Sequence, residues 1–185
     1  MAEKAEPLTR ACELVGRFLY HFSRVEQQLD AAITKLFRLD PQYAPIVTAN
    51  FDFYKKLQVV RCAVDLQTKA GKQIRNAKTT LGGIDAINND RQVVAHSPFE
   101  DAEGNGVRFN RTVAKGELKI EALVWREKDF EARFTKLQRL EAKLKQIVGE
   151  LEPKKIKWPP SANVAPLPAH GGFFVGADFV GDAFV

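Results

Sequence analysis

Apolar side chains recur at helical spacing through the N-terminal part of the chain. Spacings of three, four and seven place one stripe on a long helix, made of Leu8, Cys12, Val15, Leu19, Phe22, Leu29, Ile33 and Leu36. Pro7 suits the first turn of this helix, and Asp40-Pro41 ends it because the residue before a proline is pushed out of the α region. Glu26 occupies one slot of the stripe, and a carboxylate on a buried face needs a partner.

Two further helices are predicted after the connection PQYAPIVTAN. The first has Asn50 or Asp52 as its N-cap, and Arg61 lies one position from its apolar face. That face consists of Phe53, Leu57, Val60 and Val64. The second begins near Lys72, and its last turn contains His96 because Pro98 limits it. Its apolar positions are Ile74, Leu81, Ile84, Ile87 and Val94.

Gly82 and Gly83 lie in the middle of the second of these helices. Glycine inside a helix costs about 1 kcal/mol relative to alanine, so a pair of glycines there needs a structural reason. The sequence predicts a kink or a close crossing with another helix at this point.

The hydrophobic period changes after Phe99. The turn sequences EGNG and AKGE bound two alternating segments, which predict a small antiparallel β-hairpin of residues 107–113 and 118–125. A last helix follows over about residues 129–151, with inward positions Phe130, Phe134, Leu137, Leu140, Leu144 and Ile147. The predicted fold class is therefore mainly α, a bundle of four to five helices with the hairpin inserted before the last one.

The amino-acid composition of the chain changes at Pro153. The stretch PKKIKWPPSANVAPLPAH is too rich in proline to continue a helix, and GGFFVGADFVGDAFV follows it. We therefore divide the chain into a helical domain, 1–152, and an extended C-terminal arm, 153–185. The phenylalanines of the arm are expected to cover a groove on its own or a neighbouring subunit, with a partner-recognition peptide as the alternative. They are Phe173, Phe174, Phe179 and Phe184.

The composition is 45% apolar and 28% charged, as in an ordinary globular domain. The N-terminus lacks the apolar segment of a signal peptide, and no window approaches about 18 uncharged apolar residues, so the chain is expected in the cytoplasm and not in a membrane. Cys12 and Cys62 fall on the apolar sides of predicted helices and are expected to be core residues. No cysteine pair or histidine cluster has metal-ligand spacing, so neither a metal nor a cofactor is expected.

The positive charge of the chain is concentrated rather than spread evenly. The net charge is +5, and between Asp65 and Asp85 no acidic residue occurs. That interval contains Lys69, Lys72, Arg75 and Lys78. Such a cluster is either a solvated helix face or a surface for a nucleic-acid backbone.

The segment NNDRQVVAHSPF, residues 88–99, is the remaining candidate for chemistry. Signatures such as GxSxG, a phosphate loop with GK[ST], and HExxH do not occur in the sequence. Arg91 and His96 are five residues apart, with a polar run before them and a helix-terminating Ser-Pro after them. Spacing alone is weak evidence, since an arginine shortly before a histidine often arises by chance, so the context matters more.

In that context NDRQVVAH resembles the motif of the HEPN superfamily, small all-α domains with an arginine, a gap of four to six residues and a histidine on a late core helix. GRFLYHFSRVEQQLDAAITKLF is similar to the family's first helix with its central glutamate, and FDFYKKLQVVRCAV is similar to its second. The resemblance covers residues 8–99. It departs from the family at Gln92, where members most often have asparagine, and in the hairpin and the Phe-rich arm, which have no counterpart.

The resemblance implies a HEPN-like homodimer in which Arg91 and His96 of both subunits line a shared groove. In active members this groove cleaves RNA without a metal ion. By this resemblance Arg91 would hold the attacked phosphate and His96 would act as general base or acid.

Four further residues would support such a groove. Gln92 or Asn89 would orient the arginine or the histidine, and Glu26 would pair with Arg91 or Arg61 across the bundle. The cluster from Lys69 to Lys78 would hold the nucleic acid.

Two alternatives stay open. Residues five apart on an ideal helix point about 140° from each other, so Arg91 and His96 meet a common ligand only if the helix end unwinds or a second subunit completes the site. Otherwise the chain is a non-catalytic nucleotide- or RNA-binding dimer, or a structural or protein-interaction module. Arg91 is then a buried partner for Glu26, and His96 is a histidine favoured by the dipole at a helix C-terminus.

Overall fold

Five helices and one small antiparallel sheet make up the part of the chain that the computed structural model describes, residues 7–67, 71–114 and 118–151. The fold is mainly α, as predicted. The arm, 153–185, and Lys69 lie outside the described residues. In chain order the elements are α1 (Pro7–Phe37), α2 (Ala44–Ala49), α3 (Phe53–Gln67), α4 (Lys72–His96), β1 (Phe99–Ala102), β2 (Gly106–Ala114), β3 (Leu118–Trp125) and α5 (Glu127–Glu150).

The long helix α1 buries a face that is turned from the predicted stripe. Its core positions are Ala11, Leu14, Val15, Phe18, Phe22, Val25, Leu29, Ala32 and Ile33. Leu8 is 56% exposed and Leu19 37% exposed, so these two assignments were wrong. Cys12 and Cys62 are also exposed, which contradicts their predicted place in the core. The small side chains of Ala11 and Ala32 let neighbouring elements approach α1, whereas the predicted stripe consisted of larger side chains.

A seam of ion pairs runs along the side where α1 packs against α5. Three arginines of α1, spaced seven residues apart, each face a glutamate of α5; the pairs are Arg10–Glu127, Arg17–Glu131 and Arg24–Glu141. The second pair is 2.8 Å and the third 3.1 Å long. Such part-exposed pairs contribute at most about 1 kcal/mol each, so their main effect is to set the register of the two helices.

The segment between α1 and α3 contains the short helix α2, which the sequence analysis treated as a connection. The N-cap of α3 is Asp52, whose Oδ1 accepts a hydrogen bond of 2.8 Å from the backbone N–H of Lys55. This hydrogen bond holds the pKa of Asp52 below its ordinary value. Asn50 instead donates from its side chain to the carbonyl of Ile46 and closes α2.

The sheet has the strand order β1-β2-β3, and both pairs are antiparallel. The predicted hairpin is present as β2 and β3, and β1 is an additional strand of four residues that pairs with β2. The inner face of the sheet buries Val107, Phe109 and Trp125 against the helices. Because β1 starts three residues after α4 ends, the sheet is fastened directly to the end of that helix.

Helix α4 is continuous through its two glycines. A Cβ atom on Gly83 would lie 3.0 Å from Cδ2 of Leu140 in α5, whereas Gly82 has no such neighbour within 4 Å. Gly83 therefore permits a close crossing of α4 and α5, which is one of the two reasons that the sequence suggested. Among the helices in the described ranges, none combines the length and the apolar character that a membrane crossing requires.

His21 of α1 packs against a core aromatic side chain. Its ring centroid lies 5.6 Å from that of Phe134 in α5. Partial burial lowers the pKa of His21 below the ordinary value of 6.5, Arg17 lowers it further, and Glu141 and Glu131 oppose the shift. The folded protein therefore takes up a proton on His21 less readily than the unfolded chain does.

This difference predicts a pH-dependent stability. As the pH falls below about 6.5, the unfolded chain binds the proton first, so the free energy of unfolding should decrease, and the decrease should level off below the folded-state pKa. His21→Phe keeps a ring against Phe134 and removes the titrating group, so its melting temperature should fall less than that of the parent between about pH 7.5 and pH 5.5. Equal decreases in the two proteins would contradict the assignment.

Candidate functional site

Arg91 and His96 contact each other at the C-terminal end of α4. Nη1 of Arg91 lies 3.4 Å from Nε2 of His96, and the contact is exposed. The helix remains regular through His96, so no unwinding is involved. The two groups therefore lie closer than their positions on an ideal helix suggest, because the long arginine side chain reaches around the last turn.

The chemistry of this contact fixes the direction of the hydrogen bond. A guanidinium group has only donors, so Arg91 donates and Nε2 of His96 accepts. Nε2 of His96 thus lies beside a permanent cation, which is where a general base acting on a phosphate ester would be placed.

The end of α4 is held in place on both sides of Arg91. The Cζ atom of Arg91 lies 6.0 Å from the ring centroid of Phe22, a buried residue of α1. The preceding Asp90 accepts a hydrogen bond of 3.2 Å from Arg133 of α5. Arg133 in turn lies with its Cζ atom 3.9 Å from the ring centroid of Trp125. Arg91 therefore projects from a helix end that is tied to α1, α5 and β3.

A cleft of about 230 Å³ lies beside His96, between the end of α4 and strand β2. Its lining residues are Gln92, His96, Ser97, Pro98, Arg111 and Thr112. Strand β2 is fastened there by a hydrogen bond of 2.9 Å from the backbone N–H of Asn110 to the carbonyl of Pro98. The cleft thus contains an imidazole, a second guanidinium group and polar side chains, a combination suited to an anionic ligand.

Arg111 is the residue of this site that sequence reasoning missed. It lies fifteen positions after His96 and belongs to a hairpin for which no family counterpart was known. Strand alternation places it on the same face as the buried Phe109, directed toward the helices, but beyond the core, where it is exposed. Only the pairing of β2 with β1 shows that this face passes the end of α4.

Asn89 and Gln92 lie on the same face of α4 as His96. Asn89 precedes His96 by seven residues, which is about two helical turns. Gln92 precedes His96 by four residues, which is about one turn. All three side chains are exposed. Gln92 also lines the cleft, whereas Asn89 extends the polar face toward the middle of the helix.

Glu26 has a different partner from the one that was predicted. Its Oε1 lies 2.8 Å from Nζ of Lys56 in α3, and Asp30 lies 2.9 Å from the same nitrogen. The predicted arginine partner was wrong: Arg61 instead pairs with Asp85 of α4 at 3.0 Å. The spacing of apolar residues did not predict Lys56 as the partner of Glu26, because the long side chain of a lysine places its charge far from its Cα.

The ammonium group of Lys56 remains charged although its side chain is only 7% exposed. Burial disfavours the charged form, but the hydrogen bond to Glu26 and the ion pair with Asp30 outweigh it, so the pKa of Lys56 is raised above its ordinary value. Glu26 and Asp30 therefore act as structural partners of a buried cation.

The basic cluster lies at the opposite end of α4 from His96. Arg75 and Lys78 are exposed, and Lys78 pairs with Asp65 of α3 at 2.8 Å. Lys78 precedes His96 by eighteen residues, which is five turns, so the two lie on one face about 27 Å apart at a rise of 1.5 Å per residue. Lys72 belongs to α4, but its side chain lies outside what the structure describes.

Comparisons with family models, curated proteins and solved structures find no match to this chain. Within the described ranges, no three His, Cys, Asp or Glu side chains come together as metal ligands would. The resemblance to HEPN domains therefore stays a prediction, and the function must be inferred from the side chains and their geometry.

The Lys56 cluster gives a prediction about stability. Glu26→Ala should lower the free energy of unfolding by about 1 kcal/mol, because Lys56 keeps Asp30 and Glu26 is partly exposed. Lys56→Ala should cost about 3 kcal/mol, since it leaves two neighbouring carboxylates without their cation, and Lys56→Met should cost less. Urea unfolding measures all three.

Lys55→Ala is the matched control on the same helix. Lys55 is exposed and pairs only with the exposed Asp52 among the described contacts, so its loss should change stability by less than about 0.5 kcal/mol. If Lys56→Ala were no more destabilising than Lys55→Ala, the cluster would not be a stabilising feature.

Proposed function

We propose that this chain is a HEPN-like, metal-independent endoribonuclease in which Arg91 and His96 act on RNA. The observation that carries the proposal is the exposed contact of 3.4 Å between the two side chains, next to a cleft with a second arginine. An accepting imidazole nitrogen and two guanidinium groups match the needs of phosphodiester cleavage.

The reaction proceeds through the ribose of the substrate. Nε2 of His96 takes the proton of the 2′-hydroxyl, and the 2′-oxygen attacks the adjacent phosphorus. The bond from phosphorus to the 5′-oxygen breaks, which leaves a 2′,3′-cyclic phosphate and a 5′-hydroxyl group. Arg91 stabilises the negative charge that develops on the phosphate oxygens.

Arg111 holds a phosphate of the same RNA strand from the other wall of the cleft. Its backbone belongs to β2, so its side chain approaches the ligand from the sheet, a direction that Arg91, on α4, does not share. Gln92 and Thr112 supply neutral hydrogen-bonding groups to the ribose or the base. The exposed basic residues Arg75 and Lys78 contact phosphates farther along the strand, at the opposite end of α4.

A homodimer completes the acid–base pair. His96 is the one imidazole that lines the described cleft, whereas cleavage needs a base at the 2′-oxygen and an acid at the 5′-oxygen. A second copy supplies its own His96 to the shared groove, as the HEPN resemblance implies. Protonation of the leaving oxygen by that second imidazole then balances the proton that the first one takes.

A non-catalytic RNA-binding dimer is the second candidate, and one observation favours it. The hydrogen bond from Arg91 occupies the lone pair of His96 that a general base requires. If RNA does not displace Arg91 from this contact, the pair holds a phosphate without reacting. The two candidates differ in whether His96 affects product formation.

Cleavage of single-stranded RNA in the presence of a chelator is the test. The parent protein should yield products that end in a 2′,3′-cyclic phosphate and should leave DNA of the same sequence intact, because DNA lacks the nucleophile. His96→Ala should reduce the cleavage rate by about 10² to 10⁴ while RNA affinity changes little. Arg91→Ala should reduce both rate and affinity.

Two arginines of β2 give a matched control. Arg111 lines the cleft, whereas Arg108 lies three residues away on the opposite face of the strand, near Glu100. Arg111→Ala should weaken RNA binding and reduce its salt dependence by about one phosphate contact, and Arg108→Ala should do neither. Salt-sensitive binding without products, with His96→Ala equal to the parent, would support the non-catalytic dimer. An absence of binding at low salt would contradict both.

A further inference from the structure

Strand β3 forms an open edge of the sheet. The order β1-β2-β3 leaves β3 with one neighbouring strand in the part of the chain that the structure describes. Its outward face carries exposed apolar side chains: Leu118 is 75% exposed, Ile120 74% and Val124 46%. An exposed strand edge with an apolar face is a template for pairing with another strand.

The opposite face of β3 carries charges of alternating sign. Lys119 and Glu121 point to the same side as the buried Trp125 but lie beyond the core, and both are exposed. In the register of the hairpin, Glu121 is opposite Arg111 and Lys119 is opposite Val113. Charged side chains on an edge usually discourage pairing, so a partner must offer the complementary charges in the right positions.

We infer that β3 pairs antiparallel with β3 of a second copy of this chain, with Ile120 opposite Ile120 of the partner subunit. In this register Lys119 is opposite Glu121 of the partner subunit, and Glu121 is opposite Lys119 of the partner subunit. On the outward face, Leu118 is opposite Ala122 of the partner subunit. Both faces are therefore complementary at the same time, with two opposite-charge pairs and a continuous apolar row.

The charges select this register over its neighbours. The two copies are related by a two-fold axis perpendicular to the sheet, which keeps the corresponding faces of both β3 strands on one side. The axis must pass through a residue of the strand, so each alternative register moves it to the next residue along β3. Centring it on Lys119 brings the two lysines together, and centring it on Glu121 brings the two glutamates together. Ile120 is the centre between them at which each charge meets its opposite, which is why a second copy fits the edge.

The pairing extends the charge pattern across both subunits. Arg111, Glu121 and Lys119 of the partner subunit form one row with signs plus, minus and plus. The β2 strands of the two copies lie three strand spacings apart, about 14 Å. Because corresponding faces share one side of the joined sheet, the two clefts that contain Arg111 open toward the same side. With the β2 strands about 14 Å apart, this contact does not bring two His96 side chains to one phosphate. It is therefore separate from the contact that forms the shared groove of the proposed function, and it does not depend on any action on RNA.

Charge reversal in the full-length chain tests the interface. The parent protein should form a concentration-dependent dimer in sedimentation velocity, and a weak one, because one strand pair is a small interface. Glu121→Lys places lysine opposite lysine and Lys119→Glu places glutamate opposite glutamate, so each variant alone should dimerise about tenfold more weakly or worse. An equimolar mixture of the two variants restores opposite charges at both positions, so the mixture should dimerise about as well as the parent.

The mixing step separates this interface from a general loss of stability. Glu121→Lys also places a lysine opposite Arg111 of its own chain and so weakens the hairpin itself, a loss that mixing does not repair, whereas mixing does restore opposite charges between the subunits. Arg108→Glu, on the same outward face as Ile120, serves as a charge-changing control that should leave the dimer intact. A parent protein that stays monomeric over all concentrations would overturn the inference. So would a dimer that neither variant weakens, or a mixture that dimerises no better than its components, since the contact would then lie elsewhere or the edge would bind a different segment.

Discussion

Trp125 is the side chain on which the position of the sheet depends. Its ring lies 4.9 Å from Phe109 of β2, 5.5 Å from Phe130 of α5 and 6.3 Å from Phe18 of α1, measured between centroids. Aromatic contacts of this kind have preferred geometries, so they orient the elements as well as burying area. Trp125 is also the last residue of β3, two positions before α5 begins. The hairpin is therefore fixed at its base, whereas its far end projects beyond the core with both faces exposed.

The geometry of the candidate site depends on the position of Trp125. Arg133 stacks on Trp125 and pairs with Asp90, so the residue next to Arg91 is held by the same indole that holds the hairpin. The two walls of the cleft, α4 and β2, which have only β1 between them along the chain, are consequently held at a fixed separation. Among the described contacts, Arg91 has the exposed one with His96 and the long one with Phe22 at 6.0 Å, so its side chain can exchange His96 for a phosphate while the helix end stays in place.

Features that depend on a single helix or turn could be predicted from the sequence. Periodicity located the long helices, turn residues located the hairpin, and Pro98 placed His96 in the last turn of α4. Contacts between two elements could not be predicted in this way: Lys56 reaches Glu26 from another helix, and Arg111 lines the cleft because of strand pairing. The buried face of α1 was misplaced for the same reason, since alanines become core residues only when a neighbour packs against them.

In the dimer joined through β3, ligand binding and subunit pairing would influence each other through Glu121. Glu121 is the cross-strand neighbour of Arg111 in its own chain, and in this dimer it also faces Lys119 of the partner subunit. An anion held by Arg111 would weaken the attraction between Arg111 and Glu121 and leave Glu121 more available to the partner's Lys119. Conversely, pairing with that lysine would leave Arg111 less neutralised and better able to hold an anion. The coupling must be equal in both directions, so an anion that binds in the cleft tightens the dimer by the factor by which the dimer tightens the anion.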